Sequence, residues 1–178
     1  KSGVVTMAED ASISGNPGER GYYPNGGGVY MAGGTFDFNG GNISENIYGY
    51  KGGGAYLAGG IFNLNSGSIS ANGSTDGAGV YLNGGTLNLK SGGSIGKNSC
   101  TNGSGGGLFC ENGTANITGG RITGNSASRG GGVFVWKDKT TFNVSGNTSI
   151  SDNKAKGKTS NVDLTQNDKI TITGALTE

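Results

Sequence analysis

Acid–base chemistry on this chain would fall to carboxylates, because its 178 residues include no histidine. That removes both the commonest general base and the commonest metal ligand. What remains is a pair of acids helped by lysine or arginine, which requires two carboxylates at neighbouring places in the chain's repeat. Asp37 stands where later units have Asn63, Asn88, Asn116 and Asn143. Glu45 corresponds to Ala71, Lys97, Gly124 and Asp152, and Glu111 to Ala32, Ala58, Asn83 and Trp136. No two neighbouring units place acids together, so no catalytic residues and no enzyme are expected. An enzyme would need two or more acids converging on one groove through loops. A hard cation needs several oxygen ligands, usually with two or more carboxylates. Only Glu9-Asp10 and Asp163 with Asp168 cluster, as solvated turns would, so neither a metal nor a cofactor is expected. The glycine runs lack the Lys-Ser/Thr that would make a phosphate loop.

The residues with the clearest binding chemistry are aromatic. Tyr30, Tyr56, Tyr81, Phe109 and Phe134 recur once per unit, between apolar residues that must point inward. They therefore point outward, and Trp136 shares their parity. An exposed ribbon about 20 Å long is expected, suited to stacking on sugar rings or to an interface. Stacking of the aromatics on one another, or a covering domain, would explain the same column without a ligand. The neighbouring Asn63, Asn88, Asn116 and Asn143 could add amide donors and acceptors.

These positions are set by a repeat. Units begin near Gly26, Gly52, Gly77, Gly105 and Gly130, and the four complete ones hold 26, 25, 28 and 25 residues. Partial units fill 1–25 and 162–178, and the whole is expected to be one domain cut from a longer chain. Each unit carries three short strings that alternate with period two, as strands do. The inward columns are Val29/Met31 and their equivalents, Phe36/Phe38 and theirs, and Ile43, Ile69, Ile95, Ile122 and Ile150, with Ile13 before them. Such strings bury their apolar sides only by stacking unit on unit at about 4.8 Å. The expected fold is all-β: a right-handed parallel β-helix, or β-solenoid, of about six coils with three strands each. Glycine triplets such as Gly52-Gly53-Gly54 would make the corners. Asn16, Asn46, Asn72, Asn98, Asn125 and Asn153 follow the third string and would form an asparagine ladder. Cys110 falls in an inward column and Cys100 aligns with Ala127 and Ala155, so both are expected as buried thiols rather than a disulfide.

Composition agrees. Forty glycines with only two prolines fit corners rather than collagen or disorder. Thirteen basic and twelve acidic residues leave a charge of +1, too little to hold nucleic acid. No apolar run approaches the roughly 18 residues of a membrane span, so no membrane insertion of this fragment is expected.

The strings Gly-Gly-Gly-Val-Tyr and Phe36-Asp37-Phe38-Asn39 or Phe62-Asn63-Leu64-Asn65 resemble the GGA(I/L/V) and FxxN repeats of polymorphic outer-membrane proteins. They are similar too to large bacterial surface proteins with GGTFNLNGGTISGN-type coils. Leu87-Asn88-Leu89-Lys90 and Phe142-Asn143-Val144-Ser145 depart from FxxN. The resemblance implies a right-handed parallel β-helix, exported to the outside or to the bacterial cell surface, and used in adhesion. Its partner would be a host glycan or a host surface or secreted protein, such as an immunoglobulin or a mucin. A purely structural stalk and a portion of a carbohydrate-active β-helix are the other readings. End-to-end self-association is expected from unpaired end coils.

Overall fold

Each apolar string is too short to form a core alone, and the chain solves this by parallel pairing at every turn. The computed structural model describes residues 3–17, 25–47, 49–136, 139–165 and 167–177. Among them the chain is a β-solenoid of about six turns without a helix. The partial units at 1–25 and 162–178 include residues 1, 2, 18–24, 166 and 178, which lie outside the described residues.

The pairing register follows the repeat. Val29, Ala55, Val80, Leu108, Val133 and Val162 stack as one column. Val5, Phe36, Phe62, Leu87, Ala115, Phe142 and Ile170 form a second. Ile13, Ile43, Ile69, Ile95, Ile122 and Ile150 form a third. Inward residues of all three meet in one continuous core, where Phe38, Leu57, Leu64, Ile69, Leu89 and Ile122 are fully buried. Each such side chain contributes roughly 1.5–3 kcal/mol by leaving water.

Two features differ from three separate strands per turn. The second and third strings run together, as in Thr35–Ser44 and Ile61–Ser70, and Val80–Gly96 joins all three. A fourth stack also forms, from Gly49–Lys51, Gly73–Asp76, Ser99–Cys100, Ser126–Ala127 and Lys154–Ala155. Apart from Tyr50 its residues are small or polar, so no apolar alternation announces it. Beneath it, Ala78, Cys100 and Ala127 make a small cluster of their own. This stack ends when Lys158–Thr159 folds back antiparallel on Lys154–Ala155.

The corner triplet does two jobs. Its first glycine is left-handed, with φ of 74° at Gly26 and 70° at Gly52. Its third has ordinary φ but no room: a Cβ on Gly107 would lie 2.6 Å from the Gly132 carbonyl oxygen and 2.8 Å from Ile122 Cγ2. The corner after the third string is left-handed at Gly15, Glu45, Ala71, Lys97, Gly124 and Asp152, directly before each ladder asparagine.

The ladder is fully bonded inside. Asn98 Oδ1 accepts from the Asn72 backbone N–H at 3.0 Å and from Asn72 Nδ2 at 3.1 Å. Asn98 Nδ2 donates to Asn125 Oδ1 and to the Ile69 carbonyl, both at 3.0 Å. The same scheme begins at Asn16 and passes through Asn46 and Asn125 to Asn153. One further rung was absent from the sequence reading: Asn161 Oδ1 accepts from Asn153 N–H and Nδ2, both at 3.2 Å. The fold-back of 154–159 delivers it to the ladder only eight residues later.

Candidate functional site

The alternating strand Val80-Tyr81-Leu82 puts Val80 and Leu82 in the core and leaves Tyr81 on the outer side of the same sheet. Parallel pairing then aligns Tyr30, Tyr56, Tyr81, Phe109 and Phe134. Successive ring centroids are 5.4, 5.4, 4.6 and 5.1 Å apart. The first three pairs are stacked within 15° of parallel, and Phe109–Phe134 is tilted by 58°. The expected ribbon is therefore present, but its exposure is not. Tyr30 is 58% exposed, whereas Tyr81 and Phe134 are each 1% exposed and Tyr56 and Phe109 are buried. Stacking hides the ring faces, and polar residues from two flanking columns close over the edges.

Those columns make the ribbon the floor of a groove. One wall is the corner before each glycine triplet, with Lys51, Asp76, Ser104 and Arg129. The other is the outward residue two places after each aromatic, with Ala58, Asn83, Glu111 and Trp136. Lys51 Nζ reaches across, 4.5 Å above the Tyr81 ring, to within 3.5 Å of Glu111 Oε2. The Tyr81 hydroxyl donates to the same Oε2 at 2.7 Å. Burial first, then this bond and the charges of Glu111 and Asp76, push the Tyr81 phenol far above its ordinary value of 10.0. It therefore stays a donor at any physiological pH. Asp76 Oδ1 accepts from the Ser104 backbone N–H at 2.8 Å, and Asn83 Nδ2 donates to the Tyr56 hydroxyl at 2.7 Å.

At the far end Arg129 lies 4.7 Å over the Phe134 ring and forks onto Asp163 at 3.1 and 3.0 Å. Asp163 pairs with Phe134 in the strand register, so the aromatic column stops where an ion pair takes over. Trp136 is half-buried at the rim, its ring 5.8 Å from that of Phe134.

The groove opens into a cavity of about 320 Å³ lined by Tyr50, Lys51, Asp76, Glu111 and Trp136 over Tyr81 and Phe109. A second hollow of about 370 Å³, over the fourth stack, is lined by Ile47, Gly73, Ser74, Thr75, Ser99 and Thr101. It holds hydroxyls but no charge, so the groove offers the richer chemistry despite its smaller volume.

Comparison with known proteins finds no matching family model, curated protein or solved structure. The site must be judged on its own residues.

Three of the site's members escaped the sequence reading. Tyr50, 49% exposed, lies in the fourth stack, which has no apolar period to reveal it. Lys51 and Asp76 occupy one column, paired in register, but a lysine beside an aspartate resembles any solvated corner. Two acids can meet without sharing a column: Asp76 and Glu111 come from different columns yet line one cavity. The column of Asn63, Asn88, Asn116 and Asn143 forms a second, half-buried ladder. It starts with Asn63 Nδ2 donating to Asp37 Oδ1 at 2.7 Å and continues Asn88 to Asn63 at 2.7 Å, Asn116 to Asn88 at 2.9 Å and Asn143 to Asn116 at 2.8 Å. Its amides thus bond first to one another.

The two cysteines are buried and free. Burial pushes the Cys100 thiol from 9.0 up to about 12, and the fully enclosed Cys110 higher still.

Proposed function

We propose that this chain is a non-catalytic recognition module of a bacterial surface protein, located outside the cell, which holds a host glycan in the groove above Tyr81 and Phe109. The observation that carries this reading is the cavity in which Tyr50 and Trp136 flank Lys51, Asp76 and Glu111. Aromatic surfaces for sugar C–H faces beside a few fixed polar groups are what a small saccharide site requires. The resemblance to surface-protein repeats supports the setting.

A stalk is favoured by one fact, the burial of four of the five stacked rings. An enzyme is favoured by another, the presence of Asp76 and Glu111 on one cavity. An array of host glycans and secreted host proteins separates these readings, with wild type run beside a Tyr50→Ser/Trp136→Ala variant of unchanged circular dichroism. Specific glycan binding lost in the variant supports the module. Silence from both proteins supports the stalk, and binding only to protein lacking glycan contradicts the glycan reading. New reducing ends on a bound oligosaccharide would make the chain an enzyme.

A further inference from the structure

Resting on that reading, we infer that the groove selects uncharged, hydroxyl-rich saccharides and discriminates against acidic ones, whether sialylated, uronate or sulfated. Among the described residues the charge lining the cavity is unbalanced: Asp76 and Glu111 stand with one lysine, Lys51. Arg129 does not restore the balance, because both arms of its contact are held by Asp163 at 3.1 and 3.0 Å.

Two carboxylate oxygens in the cavity are left to accept. Glu111 Oε2 already receives the Tyr81 hydroxyl and lies 3.5 Å from the Lys51 ammonium. Asp76 Oδ1 receives the Ser104 amide. Glu111 Oε1 and Asp76 Oδ2 have no partner among the described residues, and ionised carboxylates only accept. A ligand that brings donors satisfies these two atoms, and sugar hydroxyls supply them. An acidic sugar keeps its hydroxyls but adds a third negative charge beside the two carboxylates, a repulsion that salt screens. A cationic ligand would be drawn to the carboxylates but repelled by the Lys51 ammonium, which lies 4.5 Å from the centre of the Tyr81 ring.

Calorimetry on the whole chain tests this with matched neutral and sialylated or sulfated oligosaccharides, at about 0.05 and 0.5 M salt. The expected result is at least about tenfold tighter binding of the neutral member, equivalent to ~1.4 kcal/mol, with a narrower gap at high salt. Glu111→Gln keeps the shape, removes the charge and should shrink the preference; Asp76→Asn is the second variant if the first fails to fold. Equal or tighter binding of the acidic member, lost on Trp136→Ala, would overturn the charge selection and leave the glycan module standing. Absence of binding to either class would remove the module and the selection together.

Discussion

Asn98 carries four hydrogen bonds on one buried amide, to Asn72 twice, to Asn125 and to the Ile69 carbonyl. Truncation to alanine strands the Asn72 donors and leaves neighbouring acceptors unpaired, at about 1–3 kcal/mol per buried group. Asn98→Ala should therefore lower stability by at least about 3 kcal/mol in urea unfolding. A drop below ~1 kcal/mol would mean that the ladder contributes little. The thiols give the chain an alkaline limit. Cys100 is raised from 9.0 in the unfolded chain to about 12 in the fold, and Cys110 is raised as well. The unfolded chain then loses protons first, so stability is full below pH 9.0 and falls as pH rises toward about 12. Urea midpoints from pH 8 to 11 test the sign, and native thiols should resist a disulfide-exchange reagent until unfolding. The ladder was legible because an asparagine returned once per unit. Asn161 was not, because it reaches the same column out of period, through a fold-back that no hydrophobic pattern encodes.

At the scale of the element, corners decide whether strands stack. Gly107 has no room for a methyl group, with the Gly132 carbonyl oxygen at 2.6 Å and Asn125 Nδ2 at 2.9 Å from its Cβ position. Gly33 meets nothing within 4 Å. Gly107→Ala should destabilise by about 1–3 kcal/mol or more, and Gly33→Ala should change little. Equal effects would refute the close-approach argument. The corner before the ladder asparagine holds non-glycine residues in the left-handed region, Ala71 at φ 55° among them. Ala71→Gly relieves about 1 kcal/mol of strain, partly offset by added freedom in the unfolded chain, so a small gain in stability is expected. The strands themselves were readable from sequence because period-two alternation places Phe62 and Leu64 inward and Tyr56 outward without further information. The groove walls were not. Lys51, Asp76 and Glu111 come from separate turns and meet through side-chain reach, which spacing along one strand cannot express.

For the whole molecule, the columns that fill the interior run on to its ends. Val5 continues the Phe36 column and is 56% exposed, and Ile172 continues the Val144 column and is likewise 56% exposed. Strand edges exposed in this way pair readily. The 178-residue chain should therefore self-associate head to tail as concentration rises, and sedimentation should show mass increasing without a fixed closed oligomer. Lysine at Val5 and Ile172 should suppress it; concentration-independent monomer in the wild type would contradict it. The groove on the side of the solenoid carries its own reporter. Trp136, the sole tryptophan, sits at the groove's rim. Titration of its fluorescence with neutral oligosaccharides is the most direct measurement. A saturable change in emission is expected, weakened by Glu111→Gln and absent after Tyr50→Ser. Binding detected by calorimetry with no change at Trp136 would place the ligand elsewhere and contradict a site in the groove.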